Sequence, residues 1–160
     1  MLTDKVCGTS KNIVDKPIIL DVYSAHCPNL TIIDLPGLTR IAIEGQDKDI
    51  HKITANMIKK YMLEPSTIIL CVIPANQDIT NDEVLYMARK IDPEGARTIG
   101  CITKIDIMDR GTDARQTLLN KGEVQLKLGF VGIKNRSQAD INEKKTVLSL
   151  LNVGPRLHLS

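Results

Sequence analysis

The alternation of apolar β-type runs with helix-type segments is the feature that most constrains this fold. Residues 67–73, 97–102 and 129–134 are dominated by aliphatic and β-branched side chains and predict strands. The first run is apolar at almost every position, which is typical of a central strand buried on both faces. Residues 83–91, capped by Thr80 or Asn81, predict a helix, and the polar stretch up to Leu119 predicts a second, largely helical one. We therefore expect a mostly parallel α/β sheet with right-handed connections and helices on both faces.

The preceding part of the chain predicts a hairpin and one more helix. Residues 17–23 and 30–34 are two further β-type runs, joined by a short turn that contains Pro28 and Asn29. They predict an antiparallel hairpin at the edge of the sheet. From Ile50 to Tyr61, apolar side chains recur at three- and four-residue spacing and predict a helix that ends before Pro65.

Composition excludes some classes of function. The 160 residues carry 21 Lys and Arg against 19 Asp and Glu, and this balance does not favour nucleic-acid binding. One Phe, three Tyr and no Trp make stacking on nucleobases unexpected. The four cysteines are widely spaced and predict reduced thiols, and no apolar run approaches the roughly 20 residues of a membrane span. We expect a cytoplasmic chain that is peripheral to membranes or the cytoskeleton.

A candidate phosphate-sensing motif follows the second β-type run. Asp34 ends that run, where its carboxylate can reach Mg²⁺ directly or through water. Leu35 and Pro36 then lead to Gly37, whose N–H can approach a γ-phosphate because the residue has no side chain. Taken alone, the tetrapeptide is better explained as a strand that ends in an ordinary turn. No Gly-x-x-x-x-Gly-Lys-Ser/Thr sequence occurs in the 160 residues, so this motif lacks a matching phosphate-binding loop within the chain.

A candidate guanine-reading motif follows the strand predicted at residues 97–102. Asp106 can accept two hydrogen bonds from the guanine N1–H and exocyclic amine, a donor pair that adenine lacks. The alkyl stem of Lys104 can lie over the base, and Thr103 can tie the turn to a phosphate loop. The alternative is a surface Lys–Asp pair after a buried strand.

A third polar segment follows the last predicted strand. Asn135, Arg136 and Gln138 can close over the base and the ribose, although alone they make only a polar loop. All three motifs fall at the carboxyl ends of predicted strands, where parallel sheets bind ligands.

Longer blocks of the sequence resemble the GTPase domain of the dynamin superfamily, from about Val6 to about Lys145. The resemblance implies an incomplete P-loop GTPase-type sheet that binds GTP or GDP with Mg²⁺. It also implies a homodimer through the GTPase domains, self-assembly of the full-length protein, and membrane remodelling or fission through regions outside this chain. The blocks that carry it are Asp-Leu-Pro-Gly at 34–37, Pro-Ala-Asn at 74–76, Asp-Pro-Glu-Gly-Ala-Arg-Thr-Ile-Gly at 92–100, Thr-Lys-Ile-Asp-Ile-Met-Asp-Arg-Gly-Thr-Asp-Ala at 103–114, and Asn-Arg-Ser-Gln-Ala-Asp-Ile at 135–141.

The resemblance implies roles for particular residues. Gly37 would act in catalysis and Asp34 would hold the metal, while Asp78 would contribute to the dimer contact that stimulates hydrolysis. Without the family, Asp78 is better explained as part of a polar loop before a helix. The nucleotide-binding residues would be Asp34, Leu35, Pro36, Gly37, Thr103, Lys104, Ile105, Asp106, Asp109, Asn135, Arg136 and Gln138.

The sequence also departs from the family pattern. The phosphate-binding loop of the family should precede the region that matches Val6, and the strand feeding it lies between residues 30–34 and residues 68–73. We expect a partial GTPase domain over residues 1–145, with a divergent tail over 146–160. We further expect the isolated chain to be marginally stable and to bind GTP weakly, because two strand edges would lack partners. A catalytically inactive module that keeps the guanine-recognition and dimerisation surfaces is the alternative.

Overall fold

A computed structural model describes residues 13–38, 41–108 and 114–145. Three parallel strands form one sheet in the order β1 (Ile69–Pro74), β2 (Thr98–Thr103) and β3 (Phe130–Ile133). Their register aligns Cys71 with Gly100 and Gly100 with Phe130. The prediction of an incomplete parallel α/β sheet is therefore confirmed.

Four α-helices and two short 3₁₀ segments precede, connect and follow the described strands. The helices are α1 (Ile50–Met62), α2 (Glu83–Ile91), α3 (Arg115–Leu118) and α4 (Gln138–Asn142), and the 3₁₀ segments are Ile79–Asn81 and Ile105–Ile107. Asp82, rather than Thr80 or Asn81, caps α2, because its carboxylate accepts a hydrogen bond from the Leu85 N–H at 2.8 Å. In this part of the chain, no helix is both long and apolar enough to cross a membrane.

The helix predicted up to Leu119 is much shorter than expected. Helix α3 has four residues, and residues 109–113 of the predicted stretch lie outside the described residues. Asn120 follows with a φ of 56°, and its side chain exchanges two hydrogen bonds with the Leu126 backbone. Asn tolerates this left-handed conformation and ends the helix in a turn that leads to β3.

The hydrophobic core lies against one face of the sheet. Ile69, Cys71 and Ile73 of β1 point into it, together with Ile102 of β2 and Phe130 of β3. Helices α1 and α2 supply the other side of this layer, and Leu118 of α3 packs against it. The remaining buried members are Ile58, Met62, Leu85, Ala88, Val124 and Leu126.

The opposite face of the sheet is largely exposed among the described residues. Leu70 and Val72 of β1 are 57% and 54% exposed, and Val131 of β3 is 51% exposed. The prediction that residues 67–73 form a central strand buried on both faces therefore differs from this structure. β1 is an edge strand and β2 is in the middle. The aliphatic run indicates a strand suited to double-sided burial, but burial also needs neighbouring elements to cover it.

The predicted antiparallel hairpin does not form in the structure. Residues 17–23 and 30–34 carry no strand, and their apolar side chains are open to solvent, with Leu20 82% and Ile32 81% exposed. Only the turn is recognisable, with a hydrogen bond from the Cys27 N–H to the Ser24 carbonyl at 3.2 Å. A two-stranded hairpin is marginal without a third strand or a packed face, so β-propensity alone does not secure it.

The described cysteines agree with the prediction of reduced thiols. Cys71 and Cys101 are buried, Cys27 is exposed, and all three are free. Burial, with a smaller contribution from the Asp82 charge, raises the pKa of the Cys71 thiol to about 12. Cys71 is therefore a small core residue rather than a reactive nucleophile.

A polar junction holds the amino-terminal end of β2. The buried carboxylate of Asp92 accepts hydrogen bonds from the Ala96 and Arg97 N–H groups at 3.0 Å and from the Thr98 hydroxyl at 2.7 Å. The guanidinium of Arg97 donates to the Met62 carbonyl at 2.8 Å and to the Thr67 carbonyl at 3.0 Å. This Asp92–Arg97 junction joins the end of α1, the approach to β1 and the start of β2.

Candidate functional site

The carboxyl ends of the three strands lie side by side. Thr103 pairs with Pro74 on one side and with Ile133 on the other. The Ala75 N–H donates to the Thr103 carbonyl at 2.8 Å, and the Thr103 hydroxyl donates a longer hydrogen bond, 3.4 Å, to the Ile73 carbonyl. The structure thus brings the Thr103–Asp106 motif next to the segment that follows β3.

The chain turns sharply directly after β2. Lys104 has φ 58° and ψ 32°, a left-handed conformation that is costly for a residue with a side chain. The Ile107 N–H donates to the Lys104 carbonyl at 3.2 Å and closes the 3₁₀ turn. Strained backbone of this kind is concentrated at functional sites, where surrounding structure maintains it.

The turn separates one anchoring side chain from two exposed ones. Ile105 is half-buried against the core, and Lys104 and Asp106 are exposed. Ile105 is an apolar anchor of the turn, and its nucleotide contact stays a prediction, while Lys104 and Asp106 are accessible to a ligand. Asp109 lies outside the described residues.

The segment after β3 is organised by its own hydrogen bonds. Ser137 caps α4 by accepting from the Asp140 N–H, and Asp140 accepts in return from the Ser137 N–H and hydroxyl. The Ser137 hydroxyl and Lys145 stabilise the ionised carboxylate and lower the pKa of Asp140 to about 2. Ser-x-x-Asp is a capping-box pattern, so the sequence did contain a signal for this arrangement.

The candidate residues of this segment are exposed. Asn135 follows β3 closely, the Arg136 guanidinium donates to the Lys145 carbonyl at 3.0 Å, and the Gln138 amide donates to Asn142 at 3.0 Å. A ligand that engaged Arg136 or Gln138 would have to replace these local contacts.

The Asp34–Gly37 segment is positioned by its apolar members. Leu35 and Leu38 pack against the core, and Pro36 is half-buried. Asp34 and Gly37 are exposed. A Cβ built on Gly37 meets no atom within 4 Å, so packing does not explain why this position is glycine.

The candidate metal site is sparse. Among residues 13–38, 41–108 and 114–145, no group of three or more His, Cys, Asp and Glu side chains could hold a metal ion. Mg²⁺ in nucleotide sites needs only one or two carboxylates, because phosphates and water complete its shell. Asp34 fits as one such donor, but the described residues do not make a metal cage.

Asp78 lies in the turn before α2. Its carboxylate accepts from the Thr80 N–H at 3.0 Å, the Thr80 hydroxyl at 2.8 Å and the Asn81 amide at 2.9 Å. The hydrogen bonds from Thr80, and a smaller one from Asn81, lower the pKa of this carboxyl. The structure therefore gives Asp78 a local structural role, and its part in a dimer stays a prediction.

Sequence reasoning attached no role to two contacts outside the strand-end motifs. One is the Asp92–Arg97 junction, which fixes the far end of the strand that carries Thr103. The other is a contact between the first turns of α1 and α2, in which His51 Nε2 lies 2.7 Å from Glu83 Oε1. The Arg97 contacts to the Met62 and Thr67 carbonyls and the His51–Glu83 contact join residues far apart in the sequence, so no local pattern indicates them. The hydrogen bonds to Asp92, by contrast, come from residues only four to six positions further along the chain.

The comparisons with known proteins identify the class to which this fold and site belong. The family model described as Dynamin family matches residues 1–105, and that described as Dynamin central region matches residues 113–152. The chain belongs to the dynamin family. The second match begins within the predicted GTPase domain and extends beyond residue 145. The domain boundary predicted after residue 145 stays a prediction.

Dynamins from distant organisms resemble the chain over most of its length. It is 48% identical to Dynamin-B of Dictyostelium discoideum over 93% of the chain and 16% of that protein. It is 47% identical to human Dynamin-2 over 99% of the chain and 18% of that protein. It is 46% identical to the Dynamin-1-like protein of Danio rerio over 91% of the chain and 21% of that protein. The chain thus spans about a fifth of the length of these relatives.

Proposed function

We propose that this chain contributes guanine-nucleotide recognition to a dynamin-like GTPase. The observation that carries the proposal is its membership of the dynamin family together with the exposed Asp106 at the end of the central strand. The carboxylate of Asp106 would accept hydrogen bonds from the guanine N1–H and exocyclic amine. The alkyl stem of Lys104 would cover the base.

The phosphate end of the site would need groups besides those described here. Asp34 would supply one oxygen ligand to Mg²⁺, and Gly37 would offer its backbone N–H to the γ-phosphate. Mg²⁺ would neutralise charge that develops on the phosphates during hydrolysis. The 160 residues contain no Gly-Lys-Ser/Thr loop, so this proposal assigns the chain a strong preference for guanine but weak overall affinity.

The proposal extends to assembly and location. A homodimer would form through the nucleotide faces, with the turn containing Asp78 in the contact, and self-assembly and membrane remodelling or fission would belong to the whole protein. The chain would act in the cytoplasm at a membrane or cytoskeletal surface. A formal charge of only +2 gives it little attraction of its own to anionic lipids.

Base selectivity, rather than affinity, is the measurement that suits a weak site. Saturation-transfer NMR on the 160-residue chain would compare GDP with ADP at equal millimolar concentration. We expect saturation transfer to the H8 proton of GDP. Added GTP should compete for the site and abolish this transfer, whereas added ATP should not. Asp106→Ala should remove this preference, because the carboxylate is the group that separates the two bases.

Asp21→Ala is the matched control, because Asp21 is an exposed carboxylate outside the motifs. It should leave the preference for GDP unchanged. Equal signals from GDP and ADP in the unaltered chain would refute guanine recognition, as would an equal loss in the two variants.

The alternative function is an inactive module that binds guanine nucleotides and dimerises. It is favoured by one observation, the missing Gly-Lys-Ser/Thr loop in this sequence. Phosphate release from GTP separates the two functions. Phosphate release from GTP that is faster than in buffer alone, and that is lost in Gly37→Pro, would support an enzyme. Selective binding without such release would support the inactive module.

A further inference from the structure

One contact joins the two helices that follow the candidate site's loops. His51 is the second residue of α1 and Glu83 is the first residue of α2, and their side chains meet at 2.7 Å. The side chains are 40% and 27% exposed, so the pair is partly shielded from water. The first turns of α1 and α2 are thereby held together.

The start of α1 has no side-chain cap. Asp49 occupies the capping position, but its side chain makes no capping hydrogen bond. The preceding turn is instead closed by the Asp47 carboxylate, which accepts from the Asp49 N–H at 2.9 Å, and by the Ile50 N–H, which donates to the Asp47 carbonyl. A helix end without a cap is prone to fray, so a contact to a neighbouring helix has a large influence on its position.

The start of α2 is tightly organised by comparison. Asp78 holds the Ile79–Asn81 turn through three hydrogen bonds, and Asp82 caps the helix through Leu85. This turn and α2 share Asp82, which ends the one and caps the other, so residues 78–85 form one hydrogen-bonded unit. Glu83 lies within that unit.

We propose that the His51–Glu83 pair is a positioning contact that couples the segment leading from Gly37 into α1 to the turn containing Asp78. The inference rests on the proposed function, in which the first segment senses the γ-phosphate and the second lies in the dimer contact. A displacement of the α1 start would be passed through His51 to Glu83, and so to the Asp78 turn. Within the proposed function, the pair would thus link a movement at the start of α1 to the turn that contains Asp78.

Hydrogen exchange in the chain without nucleotide tests the coupling. The probes are the Thr80 and Leu85 amides on one side and the Ile53 amide on the other, because their hydrogen bonds report the two turns. We expect His51→Leu to speed exchange roughly two- to fivefold at all three probes, the range that a partly exposed side-chain hydrogen bond can contribute. Glu83→Gln should act on the same probes, and the double variant should add little to either single change.

Rescue separates coupling from a general loss of packing. His51→Lys offers Glu83 another donor group and should restore slow exchange, as should the exchanged pair His51→Glu with Glu83→His. Lys60→Ala, which removes an exposed contact to Asp15 at 3.0 Å, is the control and should leave Thr80 and Leu85 unchanged.

Three outcomes would overturn the inference. The first is faster exchange in His51→Leu at the Ile53 amide alone. The second is additive effects in the double variant. The third is a loss of helical circular dichroism that His51→Leu and His51→Lys both show. A loss of structure that His51→Lys does reverse would support it. Because no nucleotide is present, a failure of guanine binding leaves this test intact.

Discussion

The Asp92–Arg97 junction leads to a quantitative prediction for Asp92→Ala. The substitution removes the acceptor of three hydrogen bonds, and Thr98, whose hydroxyl loses its partner, is a buried residue with only 1% of its surface exposed. A buried donor left unsatisfied costs roughly 2 kcal/mol, whereas the Ala96 and Arg97 amides can turn to water at about 0.5 kcal/mol each. We therefore expect the free energy of unfolding to fall by about 3 kcal/mol.

Urea unfolding followed by far-UV circular dichroism at pH 7 measures this loss. Thr98→Val removes the hydroxyl and should cost about 1 kcal/mol, because Asp92 keeps two donors. The double variant should cost about 2 kcal/mol rather than the sum, because no buried donor then lacks a partner. Glu94→Ala is the control, an exposed carboxylate whose contact with Lys127 should contribute less than about 1 kcal/mol.

The same prediction has a pH dependence. Burial raises the pKa of Asp92, but the hydrogen bonds from Thr98, Arg97 and Ala96 outweigh it, so the pKa in the folded chain is lowered. The stabilisation from its charge is complete above about pH 4, the ordinary range of an aspartate, and is lost as the pH falls through the lowered value. The difference between the unaltered chain and Asp92→Ala should therefore narrow below about pH 4. A loss no larger than that of Glu94→Ala at pH 7 would refute the reasoning.

Four further substitutions test other parts of the structure in the same unfolding assay. A Cβ at Gly100 would overlap the Phe130 ring, so Gly100→Ala should lower the free energy of unfolding by roughly 2–3 kcal/mol. A Cβ at Gly132 would lie 3.4 Å from its nearest neighbours, Ile105 and Leu118, so Gly132→Ala should cost less than about 1 kcal/mol. Equal losses in the two variants would contradict this packing. Lys104→Gly should raise the free energy of unfolding by roughly 0.5 kcal/mol, because glycine adopts the left-handed conformation of this position without strain. It should also weaken guanine selectivity. A lower free energy of unfolding in this variant would argue against a left-handed turn at position 104. Arg97→Lys should lower the free energy of unfolding by roughly 1–2 kcal/mol, because an ammonium cannot bridge the Met62 and Thr67 carbonyls as a guanidinium does. An unchanged urea midpoint would show that this bridge does not stabilise the fold.

The parts of the fold that could be predicted are those with a local cause. Strands β2 and β3 and helices α1 and α2 lie within a few residues of their predicted bounds, because their apolar periodicity and stop signals are contained in the segments themselves. The hairpin at 17–34 and the burial of both faces of β1 could not be predicted reliably. Both depend on neighbouring elements, and no pattern within a segment shows whether its neighbours are present.

The candidate site shows the same division. The position of Thr103 and Asp106 at the end of a strand follows from the alternation of strands and helices, and the structure brings that edge together. Other features of the site could not be predicted from the sequence. They are the left-handed backbone of Lys104, the anchoring of Ile105, and the hydrogen bonds made by Asp78 and Arg136. Each depends on a backbone conformation or a partner that residue type alone does not specify.

A change of base preference tests the central claim most directly. Xanthine carries a carbonyl where guanine has its exocyclic amine, so an amide at position 106 can donate where the carboxylate of Asp106 accepts. The account predicts that Asp106→Asn reverses the preference of the chain, from GDP over XDP to XDP over GDP, in competition monitored by saturation-transfer NMR. An unchanged preference in Asp106→Asn would show that Asp106 does not read the base.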